Sequence, residues 1–244
     1  MKAFKHPLKV GIASLLTLSL VACFHNEDDE TMAVMAVEAN YKVTVSNVTN
    51  GQPLTSAAVV IHKPGYDAWT LGGMASSGLE KLAESGATTD FIAEAAANMN
   101  VLSTDVTGTG AFGPGASEMV EIKANHSSDL KLTVASMLAN TNDAFTGLTS
   151  VDIGSMAVGD SMTMMTHVFD AGTEANTESA GTIAGPADDS AAADKAYSAT
   201  RDDLHDFVSV HAGVVTMDDG LTTSVLNESH RWNGMAAKIT IERL

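Results

Sequence analysis

Short apolar runs, each closed by a Gly, Pro, Asn or Asp turn, recur from residue 41 to residue 244 and restrict the fold more than any other feature of this chain. Tyr41, Val43 and Val45 alternate with polar partners, Asn50-Gly51 marks a turn, and residues 57–62 form a continuous apolar run. Alternation with period two places one face of a strand in a core, and the first two runs read as an antiparallel unit. Further strands are predicted at 119–123, 130–138, 151–153, 161–169, 207–211 and 235–241, the last closing the domain. Many short strands with turn-rich joints predict an all-β fold, an antiparallel β-sandwich.

One region departs from this pattern. In residues 77–98, Ser77 and Glu80 have capping-box spacing, Leu79, Leu82 and Ala83 give one apolar stripe, and Gly86 marks a stop. Thr89 or Asp90 would cap a second short helix over 91–97. This short helical insertion is expected to pack across one end of a sheet. The glycine-rich stretch 107–115 is not followed by Lys-Ser/Thr and reads as a structural loop, not a phosphate cradle. Residues 185–193 are small and polar, which predicts mobility, and 201–206 is expected to hold a turn of helix.

Residues 1–22 have the pattern of a processed signal: Lys2, Lys5 and Lys9 precede an apolar core too short to span a bilayer comfortably. The segment ends Leu20-Val21-Ala22-Cys23, the bacterial lipobox pattern, and Cys23 is the single cysteine of the chain. It therefore has no disulfide partner. The expectation is a lipoprotein acylated at Cys23, the alternative a plain secreted protein. Residues 23–40, with the run Asn26–Glu30, read as an acidic tether, and 41–244 as one domain. Phe24, rather than Asp, after the cysteine points to outer-membrane sorting.

The whole chain carries 13 basic and 30 acidic residues, and loss of the signal would leave 10 against 30. Such a balance argues against nucleic acid as partner and against unaided adsorption to anionic lipid. It is permissive for a divalent cation where carboxylates converge. They converge most visibly in Phe169-Asp-Ala-Gly-Thr-Glu-Ala-Asn176, where Asp170 ends a predicted strand, Gly172 permits a turn and Glu174 returns a second carboxylate. Two hard oxygen donors on a turning loop suit calcium; an Asx-type turn with solvated acids is the alternative.

That stretch resembles the Asp-Ala-Gly-Thr-Asp motif of the spondin amino-terminal domain family. Residues 135–148 resemble the family's strand leading into an Asp-containing loop and a following Gly, and 235–244 resemble its closing strand with the Ile-Glu-Arg ending. The resemblance implies a sandwich of the calcium-and-lipid-binding, C-two-like kind, and adhesion or matrix-type binding. It also implies calcium ligands at Asp143, Asp170 and Glu174; the nearby Asn142 and Asn176 are candidate further oxygen donors. This chain has Ala144 where the family often has Trp, and Glu174 where it has Asp. The partner is left open among a surface protein, a glycan and a lipid headgroup bridged by calcium, with membrane attachment only through Cys23.

Two rival chemistries are poorly supported. A periplasmic hydrolase would need a nucleophile elbow or a zinc motif, and neither Gly-x-Ser-x-Gly nor His-Glu-x-x-His occurs; His205 between Asp203 and Asp206 reads as exposed polar helix. Copper handling would draw on Met156, Met162, Met164, Met165 and His167, but on a strand Met162 and Met164 share one face while Met165 and His167 share the other. The expected function is therefore a non-enzymatic, calcium-binding surface module.

Overall fold

The computed structural model describes residues 37–190 and 197–244. The signal-like segment, Cys23 and most of the acidic tether lie outside the described residues, as do 191–193 of the low-complexity stretch. The strands are β1 (Glu38–Asn47), β2 (Ala58–His62), β3 (Val101–Val106), β4 (Ser117–Asn125), β5 (Lys131–Met137), β6 (Ala144–Asp152), β7 (Ser161–Asp170), β8 (Ser209–Val210) and β9 (Met235–Arg243). Two helices, α1 (Ser77–Ser85) and α2 (Thr88–Ala97), lie between β2 and β3.

All strand pairings are antiparallel, in the order β3-β2-β5-β6-β7-β9-β1-β4, with β8 added to β7. The path folds over itself as a barrel-like sandwich, and β7 belongs to both sheets. Its first part, Ser161 to His167, pairs with β9, while Val168 to Asp170 pairs with β6. The changeover coincides with a register shift at Thr166/His167, a bulge that bends the strand. Buried hydroxyls satisfy the backbone there: Thr146 Oγ1 donates to the His167 carbonyl at 2.7 Å, and Thr166 Oγ1 to the Ala237 carbonyl at 3.2 Å.

Tyr41, Val43, Val45, Val59, Ile61, Leu132, Val134, Ile239 and Ile241 meet between the sheets. Ala58, Val60 and Ala135 point the opposite way, against Leu79, Leu82 and Phe91 of the helices. β2 is thus buried on both faces, which is why its sequence is apolar without alternation. The helical insertion covers the outer face of one sheet rather than an end. Its first cap is Ser76, whose hydroxyl accepts from Leu79 N at 3.1 Å, one residue ahead of the predicted Ser77, and Gly86 terminates it in the left-handed region as expected. α2 has no side-chain cap at Ala87.

Several other expectations are corrected. β1 and β2 do not pair: β1 lies between β4 and β9, β2 between β3 and β5. β1 begins at Glu38, so the last residues assigned to the tether are strand. The run 151–153 is the end of the longer β6, 207–211 contributes only the two residues of β8, and 201–206 is irregular rather than helical. β3, with Ser103, Thr104 and Asp105 on an outermost strand, has no apolar alternation to announce it. The glycine-rich stretch is the β3–β4 connection, in line with its reading as a structural loop. Residues 185–190, expected to be mobile, are held by Asn140 Oδ1 accepting from Ala187 N at 2.9 Å and by Asp188 accepting from Gly181 N and Ser190 N. Among the described residues, no helix is long and apolar enough to cross a membrane.

Candidate metal centre

The β6–β7 pairing sets the site. Ala144 stands opposite Asp170, so Asp143, one residue before β6, and Asp170, the last residue of β7, come to the same sheet edge. The hairpin that delivers Asp143 is closed by Leu138 N donating to the Ala144 carbonyl at 2.8 Å and by Thr141, whose hydroxyl donates to the Leu138 carbonyl and accepts from Ala144 N. Behind the two acids, Phe145 and Phe169 pack against each other and against Trp69.

The Asp-Ala-Gly-Thr-Glu loop wraps around Asp143. Oδ2 of Asp143 accepts from Thr173 N at 2.8 Å, Thr173 Oγ1 at 3.2 Å and Glu174 N at 3.1 Å. Its other oxygen, Oδ1, is buried and has no hydrogen-bond partner, in a residue that is 0% exposed. Asp170 makes an Asx turn, accepting from Gly172 N at 2.8 Å through Oδ1, while Oδ2 accepts from Asn176 Nδ2 at 2.6 Å. The relay continues outward. His211 Nδ1 accepts from Gly213 N, which leaves Nε2 to donate to Asn176 Oδ1 at 3.1 Å. Asn176 thus orients the Asp170 carboxylate instead of offering its own oxygen to the centre.

The third carboxylate at this edge belongs to Asp203. One oxygen each from Asp143, Asp170 and Asp203 lies within 4.8 Å of the others. Oxygens bound to one calcium at about 2.3–2.6 Å stand no more than about 5 Å apart, so the spacing fits that ion. Glu174 does not join this group of three. Its carboxyl lies beside Asn142 and Glu84, and with Asn142, Thr177, Ser198, Thr200 and Asp202 it lines a shallow cavity of about 210 Å³. Asn142, expected as an oxygen donor, accepts instead from Glu178 N at 3.2 Å.

The electrostatics are those of a site short of positive charge. Burial first, and then the Asp170 carboxylate, push Asp143 up to about 7. Asp203 is raised by burial, and further by Asp170. Glu174 is pushed up to about 8 by burial, then by Glu84 and Asp143. The nearest arginine in sequence, Arg201, is engaged elsewhere, with Glu80 at 2.6 Å and Asp206 at 2.5 Å. A buried carboxylate oxygen without a donor is costly unless something positive or a proton completes it. A hard cation bound through oxygen meets that need, and the residues present fit one.

The other constellations read from sequence do not assemble. Met162 and Met164 pack against the core between the sheets, whereas Met165 and His167 are exposed on the opposite face of β7. The His205 ring stacks on Phe207, with centroids 5.3 Å apart.

An antiparallel sandwich carrying two buried carboxylates at the end of neighbouring strands, with a half-buried third beside them, defines the class as a β-sandwich module with a candidate cation-binding edge. Residues 35–209 match the family model described as Spondin_N. The match spans well over half of the chain, and the protein belongs to the spondin N-terminal domain family. Comparison with curated proteins returned no match.

Proposed function

We propose that this protein is a calcium-binding, extracytoplasmic surface lipoprotein that acts as an adhesion or ligand-binding module, not as an enzyme. Membership of the spondin N-terminal family points to an extracellular or surface module. The observation that carries the calcium reading is Asp143: one of its oxygens is saturated by three donors and the other is buried without any, beside the Asp170 carboxylate. Asp143 and Asp170 would hold the ion, which would supply a positive charge able to complete the Asp143 carboxylate and bridge to an anionic or hydroxyl-bearing ligand. The residues themselves do the positioning: the Thr173 and Glu174 amides fix Asp143, and Asn176 fixes Asp170. The partner is a surface protein, a glycan or a lipid headgroup. Nucleic acid is disfavoured by the acidic balance of the chain.

An ion that binds only the folded state stabilises it by mass action. Metal-stripped protein titrated with calcium should give a saturable heat and a rise in Tm, with magnesium far less effective because it dehydrates reluctantly and demands near-ideal octahedral geometry. Absence of both heat and thermal shift at millimolar calcium would remove this reading.

A further inference from the structure

We propose that Asp203 supplies the third calcium carboxylate of this protein, in the role that the family resemblance gives to Glu174, so that the ion staples residues 201–207 onto the Asp-Ala-Gly-Thr-Glu loop. This rests on the calcium reading above and extends it to a ligand from a separate segment of chain. The acidic cluster alone would not carry it. The second observation is the unpartnered oxygen of Asp143, in a fully buried residue whose carboxylate lies in the same group as Asp170 and Asp203.

The backbone is held on both sides of Asp203, to the motif loop on one side and to residues 72–73 on the other. Asp202 N donates to the Thr173 carbonyl at 3.1 Å, and Asp202 Oδ1 accepts from Ala175 N at 2.8 Å. Arg201 donates to the Ala75 carbonyl and to Glu80, tying the approach to α1. On the far side, Val208 N donates to the Gly73 carbonyl and Gly72 N to the Val208 carbonyl, both at 2.8 Å. The carbonyls of His205 and Phe207 press on Gly172, where there is no room for a Cβ. These contacts present Asp203 to Asp143 and Asp170.

Glu174 is not one of the three carboxylates grouped at that point. Its amide is held by Asp143 Oδ2, and its carboxyl lies beside Asn142 and beside Glu84, a residue 2% exposed whose Oε1 has no partner. The third coordination position then falls to Asp203, the only other carboxylate grouped with Asp143 and Asp170 among the described residues. Coordination would thus join two separate segments of chain instead of closing within one tight turn.

The test is calcium titration by calorimetry on the metal-stripped full chain, comparing wild type, Asp203→Asn, Asp203→Glu and Glu174→Gln, with hydrogen exchange on the wild type. Removing one of three ligand charges should weaken calcium by about tenfold or more in Asp203→Asn, with Asp203→Glu recovering part of the loss. Glu174→Gln should stay within about threefold of wild type, because its carboxyl is not a ligand. Calcium should also slow amide exchange in residues 201–207 of the wild type, a readout that does not depend on how any variant folds. Wild-type affinity in Asp203→Asn, a comparable loss in Glu174→Gln, or exchange in 201–207 indifferent to calcium would overturn the assignment of Asp203 while leaving calcium binding intact. A wild type that binds no calcium would overturn the functional reading itself, and this assignment with it.

Discussion

Gly172 backs directly onto the carbonyl of Phe207, and its φ of +70° is one that residues with a side chain rarely adopt. A Cβ would also stand 2.7 Å from the His205 carbonyl oxygen. Gly172→Ala combines backbone strain with displacement of the segment that carries Asp203, and should destabilise the protein by about 1–3 kcal/mol. Urea unfolding of metal-free protein measures that loss. The calcium heat should fall in parallel, since the segment no longer seats.

Phe145 is fully buried and meets Trp69 edge-on at 5.1 Å and Phe169 at 5.4 Å. It lies two residues after Asp143, and Phe169 immediately precedes Asp170, so this aromatic pair is the floor under both acids. Phe145→Ala should cost about 3–5 kcal/mol, the usual range for a buried Phe. A lowered urea midpoint with an unchanged m-value would show the loss as one of stability; an unfolding free energy within about 1 kcal/mol of wild type would contradict the packing described.

His62 is buried in β2, with Nδ1 near the Lys63 carbonyl and Nε2 3.0 Å from Thr133 Oγ1. Burial holds its pKa below the ordinary value of 6.5, against the smaller pull of the Lys63 carbonyl. The unfolded chain therefore binds a proton that the folded chain resists, and stability contributed by neutral His62 is lost as pH falls below 6.5 toward the folded pKa. The raised carboxyls of Asp143 and Glu174 act with the opposite sign, favouring the fold as pH falls. Comparison of wild type with His62→Gln isolates the histidine: the variant should lose less stability than wild type between pH 7 and pH 5.

Cys23 follows Leu20-Val21-Ala22 directly and has no cysteine to pair with. Cys23→Ala should give unprocessed or released protein without lipid, read by detergent partitioning and mass spectrometry. Membrane extraction unchanged from wild type would remove the lipoprotein assignment.

Much of this architecture is legible in the residues because the informative positions are local. Tyr41, Val43 and Val45 announce β1 by alternation, and residues 161–169 read as strand on composition alone. Asp143 and Asp170 meet through strand pairing at Ala144, and the family resemblance finds both. Asp203 is different. It comes to the site from an irregular segment, placed by the Asp202 amide donating to the Thr173 carbonyl, a bond no side-chain pattern encodes, and the same stretch lacks the expected turn of helix. The neighbours of β1 were equally invisible, since alternation specifies which face is buried but not which strand lies alongside. β3 failed to register because an outermost strand with Ser103, Thr104 and Asp105 has little apolar surface to arrange.

β1 has one further consequence, a mechanical one. The chain enters the described fold at Glu38, and β1 is flanked by β4 along Glu38 to Ser46 and by β9 along Tyr41 to Asn47. Tension arriving from the amino-terminal side therefore pulls along a strand clamped on both sides, and its hydrogen bonds, lying across the direction of pull, are loaded together in shear rather than peeled one at a time. A strand clamped this way yields only when many bonds fail at once, so the described fold resists extension from its amino-terminal strand more than peeling from an edge.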